Sequence, residues 1–272
     1  MASIPSLENL KRSVRMRQRT DERVSKGWAL LSLLPIAVTV LLVGSVVGPL
    51  TVEAAPPLGG PLAIAATVAA PAEPSLLGIE LSILAYLLWL FSILPFTVFM
   101  YKLIKRRTEH LKRHRLLDQD IIDVIGQLAF ARGVIVQLDA LQRSVRRASL
   151  REKDKSAALW ALLIMVPPGV IILLYDFYFV MKGFFNHERR EELFLEEVAA
   201  LMTRLRVSVQ FPRRSTIVPK RSFMLYFVLS IVTLGGFAIY WTYALIIDPN
   251  NHFEFHRQWE DQLLEALEKT TS

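Results

Sequence analysis

The five histidines of this 272-residue chain stand in three short stretches and nowhere else: His110 and His114, then His187, then His252 and His256. Two stretches place a pair of histidines four residues apart, and in the third Glu191 follows His187 at the same distance. Positions i and i+4 of a helix share one face, so each stretch offers two imidazoles, or an imidazole and a carboxylate, side by side. These are ligands for zinc or iron, which makes His110, His114, His187, Glu191, His252 and His256 the candidate metal-binding residues. Asp118 and Glu260 extend the first and third stretches by a further turn. A competing reading is that one interfacial histidine was copied by duplication. It expects His114 and His256 to face head groups or solvent, with neighbouring arginines repelling a cation. Sequence alone favours that second reading, under which no cofactor is expected.

Other chemistries find less to work with. Without a cysteine there is no disulfide, no thiolate ligand and no cysteine nucleophile. His187-Glu-Arg-Arg-Glu191 is not the H-E-x-x-H of zinc proteases, and neither a G-x-S-x-G elbow nor a phosphate-binding glycine loop occurs. The His-x-x-x-His pairs resemble the boxes of membrane iron desaturases, which use more histidines than this chain possesses. A proton- or ion-coupled transporter would hold ionisable residues inside its spans. Asp176 alone qualifies, beside Tyr175 and Tyr178 near a segment end.

The histidines mark an internal repeat. Three times a hydrophobic segment ends in a tyrosine followed nine residues later by histidine: Tyr101 to His110, Tyr178 to His187 and Tyr243 to His252. Beyond each histidine, apolar residues recur on one helical face: Leu117, Ile121 and Ile125; Phe194, Val198 and Met202; Trp259, Leu263 and Leu267. Upstream, Trp28-Ala-Leu-Leu…Pro35 matches Trp160-Ala-Leu-Leu…Pro167. Each unit is therefore expected to be a membrane segment followed by a juxtamembrane amphipathic helix.

The segments themselves exclude a soluble globular enzyme. Residues 28–50, 81–101, 157–181 and 223–247 contain no Lys, Arg, His or Glu and one Asp, Asp176. Apolar runs of about 20 residues are what helices need to cross a bilayer. The expected fold class is an all-α polytopic membrane protein of three tandem units. Its parts are a basic cytoplasmic N-terminal segment (1–27), unit one (28–125, with spans 28–50 and 81–101 around an external loop 51–79), a helical connector (126–156), unit two (157–208), a basic linker (209–221) and unit three (222–272). The apolar series Leu117, Ile121, Val124, Leu128, Ala131, Ile135, Leu138 and Val145 suggests a helix or helix pair weakened near Gly126 and Gly133. Segments 157–181 and 223–247 either cross the bilayer or turn back at Pro167-Pro168-Gly169 and Gly235-Gly236. Crossing would leave nine basic residues of 182–221 outside, against the positive-inside rule. Hairpins would keep every basic flank cytoplasmic at the cost of non-helical backbone at membrane depth, and the hydrophobic count of the segments keeps four spans slightly ahead.

The stretch Thr233-Leu-Gly-Gly-Phe-Ala-Ile-Tyr-Trp-Thr-Tyr243, followed by Asp248-Pro-Asn-Asn251, resembles the T-L-G-I-Y-x-I-Y-W pattern and trailing Asn of a prokaryotic membrane-domain family of unknown function. The likeness covers about residues 220–265, and Gly236 and Phe237 replace the pattern's Ile and Tyr. It implies a small helical membrane domain and brings no activity with it. The function expected from sequence is a non-enzymatic membrane scaffold, partner subunit or bilayer-shaping protein. Its N-terminus is cytoplasmic, its net charge of +7 faces anionic head groups, and it pairs with a second copy or a membrane protein rather than with nucleic acid. The alternatives are a metal-binding membrane protein using the histidine pairs, and a transporter or channel subunit.

Overall fold

A computed structural model describes residues 5–38, 76–166, 169–209, 211–212 and 217–271. Residues 39–50 of the first apolar segment, most of loop 51–79, and Pro167-Pro168 lie outside the described residues. The described fold is helical, with no strand among those residues. Helix α1 (Pro5–Thr20) is followed by a 3₁₀ turn (Lys26–Ser32), α2 (Leu76–Ala131), α3 (Asp139–Arg151), α4 (Ala157–Leu163), α5 (Gly169–Arg204), α6 (Phe223–Val232) and α7 (Gly236–Thr271). Two helices are long and apolar enough to cross a membrane, within α2 and α5.

Each hydrophobic segment returns to the level at which it began. Trp28 stacks on Phe99 with ring centroids 6.0 Å apart. Trp160 meets Tyr175 at 5.0 Å and Phe223 meets Trp241 at 5.4 Å. Residues 160 and 175 of a straight helix would be roughly 22 Å apart, and 223 and 241 roughly 27 Å. The chain thus doubles back between α4 and α5 and between α6 and α7. The bases of the last two hairpins are closed by cations: Lys155 Nζ sits 3.5 Å above the Trp160 ring and 3.9 Å from that of Phe179, and Arg221 forms a two-point ion pair with Asp248 at 2.7 and 2.8 Å. All three units also open on a serine N-cap, Ser25, Ser156 and Ser222, each hydroxyl accepting a backbone N–H at the start of its helix.

The turn between α6 and α7 is tight. Leu234 has φ 50° and Gly235 φ 91°, and the Gly235 N–H donates to the Ser230 carbonyl at 2.7 Å, closing α6 in a left-handed C-cap. At Gly169 a β-carbon would lie 1.9 Å from the Ile164 carbonyl oxygen, a backbone atom that cannot step aside. Glycine at the head of α5 is therefore what allows α4 to approach.

The nine residues at plus 7, plus 11 and plus 15 from the unit histidines come together. Leu117, Ile121, Ile125, Phe194, Val198, Met202, Trp259, Leu263 and Leu267 are all buried in one apolar cluster, joined by Leu7, Leu10 and Val14 of α1. The basic N-terminal segment is thus a packed helix. A second apolar cluster, with Phe96, Phe99, Phe177, Val180, Trp241 and Leu245, fills the hairpin bases. The long connector helix breaks at Gly133 (φ 62°) rather than Gly126, and Ile135 is 96% exposed, so the apolar series does not run on from α2 into α3. Helix α2 includes residues 76–79, placed in the external loop by sequence, and runs to Ala131.

The Asp248-Pro-Asn-Asn251 stretch ties unit three to unit one. Pro249 has no N–H for the carbonyl of Leu245, four residues earlier. Arg106 of α2 donates to that carbonyl at 2.8 Å and to Asn250 Oδ1 at 3.0 Å, while Asn250 Nδ2 donates to the Val24 carbonyl at 2.9 Å.

Candidate metal centre

Between the two apolar clusters the helices α2, α5 and α7 cross a polar layer, because in each the tyrosine-to-histidine spacing puts the histidine at the same height. His110 and His114 come from α2, His187 and Glu191 from α5, and His252 and His256 from α7. All five histidines are between 0 and 3% exposed. His110 lies 5.3 Å, ring to ring, from His187 and 5.2 Å from His252; His114 lies 4.6 Å from His187 and 5.0 Å from His256.

This overturns the expectation that His114 and His256 face head groups or solvent. They sit on the same inward stripe as the apolar trio beyond them, and three such stripes close on one axis. The arginines do not repel a cation either. Arg113 turns sideways to bond Asp21 at 2.9 Å and Glu260 at 2.8 Å, and Arg190 pairs with Glu152.

The two nitrogens of each ring are treated differently. Nδ1 of His110 contacts Asp21 at 2.9 Å, that of His187 contacts Glu152 at 2.9 Å, that of His114 contacts Asp118 at 3.1 Å and that of His256 contacts Glu260 at 3.3 Å. His252 Nδ1 lies 3.6 Å from Glu188. Nε2 of all five rings is buried with no hydrogen-bond partner among the described residues, though that of His114 lies 3.8 Å from Glu191. His256 Nε2 is 2.8 Å from Glu191 Oε1, off the hydrogen-bonding direction. A carboxylate at Nδ1 fixes that nitrogen as the donor and leaves the Nε2 lone pair facing inward, the arrangement that orients histidine toward a metal.

The chain matches no protein-family model, no curated protein and no solved structure.

Two overlapping ligand sets emerge: His110, His187, His252 and His256, and His114, His187, Glu191 and His256, the ligand atoms of each within 4.8 Å of one another. Ligands about 2.0–2.1 Å from a zinc ion are separated by roughly 3.3 to 4.2 Å, so small rotations would bring either set to bonding distance. The residues present fit the candidate metal, because the buried Nε2 atoms of His110, His187 and His252, without a partner among the described residues, would otherwise each carry the cost of an unmade hydrogen bond, about 1–3 kcal/mol.

Electrostatics separate the rings into two kinds. Burial pushes His110, His187 and His252 down, His187 to about 3, which disfavours the charged form of each ring. Burial also opposes protonation of His114 and His256, but Asp118 and Glu191 lift His114 to about 10, and Glu191 with Glu260 raises His256. Burial disfavours the charge on Asp21 and Glu152, yet His110 with Arg113 and His187 with Arg190 hold these carboxyls well below the usual range. Asp21, Glu152, Glu188 and Arg113 are the participants that sequence reasoning did not place. The two outer acids, Asp21 and Glu152, come from the N-terminal segment and the connector, with no spacing that links them to the histidines.

Proposed function

We propose that this chain is a membrane-inserted protein whose three helical hairpins are tied together by a transition-metal centre, zinc or iron, held by the five histidines and Glu191. The observation that carries the reading is that the five buried histidines and Glu191 bring their ligand atoms together in two overlapping sets, each within 4.8 Å, while a carboxylate stands at Nδ1 of four of the five rings. Five imidazoles with carboxylate backing, and no thiolate, suit zinc or iron rather than calcium or magnesium. The enclosure of the ligands favours a metal that joins the repeats over one that turns over a substrate, since catalytic centres keep an open position. The scaffold reading and the metal reading thereby merge: the metal locks the platform, and the basic outer surface meets the lipid.

Insertion is supported by what the hairpins present outward. Phe91, Leu159, Leu162, Val170, Ile171, Ile231, Val232 and Leu234 are all exposed, forming an apolar surface that water would not tolerate at this extent. With the units opening and closing on one side, all the basic flanks fall in the cytoplasm, and the N-terminus with them.

The test is elemental analysis of full-length protein purified without affinity metal. Stoichiometric zinc or iron is expected, with a lower unfolding temperature after chelation and its recovery on re-addition. A ligand at 100 times its Kd stabilises by about 2.7 kcal/mol. Metal-free wild type whose stability matches that of the His110→Ala/His187→Ala/His252→Ala variant would sink the proposal.

A further inference from the structure

A second site lies beside the hairpin base of unit two, and it does not depend on the metal centre. A cavity of about 510 Å³ opens between the end of α3, the 152–156 connection and α5. Its deep wall carries Arg107 and Lys155. Its rim carries Arg151, Lys153, Lys182, Arg189 and Arg190. The sole acid among the lining residues is Glu152, already engaged by His187 and Arg190.

Arg107 is the informative residue. It is 4% exposed, and its Nε and Nη1 are buried with no hydrogen-bond partner among the described residues. The guanidinium stacks 3.9 Å from the Phe179 ring, which fixes its plane. It lies against the backbone of Gly183, where a β-carbon would come within 2.2 Å of Nε. A buried guanidinium with unmade bonds is costly; its planar fork of donors matches carboxylate and phosphate oxygens, and the number of rim cations favours the more highly charged phosphate. The opposite wall is aromatic, from Tyr175, Tyr178 and Phe179, at the end of an apolar segment. Aromatic residues of this kind belong at head-group depth.

We infer that this cavity binds a phosphate-bearing anion, seated on Arg107 and gathered by the rim cations. The shared chemistry is a phosphate group, from a lipid head group or free in solution.

The experiment is calorimetric titration of full-length protein in neutral detergent with dihexanoyl phosphatidic acid, dihexanoyl phosphatidylcholine and inorganic phosphate. Saturable binding of phosphatidic acid is expected, weakened at least about tenfold by Arg107→Gln and by Gly183→Ala. Lys182→Gln/Arg189→Gln, on the accessible rim, should weaken it as well, which keeps the test valid if a buried variant misfolds. Arg12→Gln/Arg15→Gln on the exposed face of α1 removes the same charge elsewhere and should leave binding unchanged. Inorganic phosphate that binds alone with the same variant sensitivity identifies a soluble ligand; phosphatidic acid without inorganic phosphate identifies a head group. Equal binding of phosphatidylcholine, equal loss in Arg12→Gln/Arg15→Gln, or no saturable binding of any probe would overturn the inference.

Discussion

An imidazole bonded at Nδ1 to a carboxylate is a better ligand at Nε2 and is held in one orientation, and at His110, His187, His114 and His256 that carboxylate is Asp21, Glu152, Asp118 and Glu260 in turn. Asp21 and Glu152 are decisive because they come from outside the repeat and clamp two different units. Asp21→Asn and Glu152→Gln keep size and hydrogen bonding to the ring while removing the charge. Each is expected to weaken metal affinity by about 10- to 100-fold in competition with a chromogenic chelator. Affinities unchanged within twofold would show that these acids do not support the ligands. The histidines were visible in the sequence because the same spacing recurs three times; Asp21 and Glu152 were not, because no recurring spacing links them to the histidines.

At the level of elements, the long helices α2, α5 and α7 do two tasks in succession: an apolar arm at the hairpin, then a histidine-bearing stretch leading to the cluster of the apolar trios. The return of α4 onto α5 depends on the missing β-carbon of Gly169, which would otherwise overlap the Ile164 carbonyl. Gly169→Ala is expected to cost about 1–3 kcal/mol, measured as an earlier unfolding midpoint in detergent, and Gly27→Ala, where the nearest contact would be 3.7 Å, is the matched control. Equal midpoints for the two variants would mean that the turn relaxes. Of the two forms read over 117–145, a helix or a helix pair, the pair is the one that forms, split at Gly133 and not at Gly126. A glycine with φ 62° ends α2, and periodicity alone does not register a left-handed turn.

The whole molecule is a stack of an apolar hairpin layer, a polar layer of imidazoles and acids, and a lower apolar core. Chain reversal in units two and three puts their beginnings and ends on one side, as it does at Trp28 and Phe99. Because the chain has no cysteine, single Arg19→Cys, Lys153→Cys and Lys220→Cys substitutions give clean exposed label sites ahead of the three hairpins. All three are expected to react with an impermeant maleimide from the cytoplasmic face of inverted vesicles and to resist it in intact cells. Labelling of Lys220→Cys from the outer face would instead require unit two to cross the bilayer.

What the sequence determined by itself is the all-helical character and the helix faces shared by the apolar trios and the histidines, since these are carried by periodic spacing along one chain. Whether the imidazoles face inward or outward was decided by tertiary structure alone. That depends on three inward stripes meeting at one height, on Arg113 and Arg190 being drawn aside by acids from other segments, and on Asp21 and Glu152 arriving from far along the chain. Spacing sets which residues share a helix face, but only the packing of helices sets what that face meets.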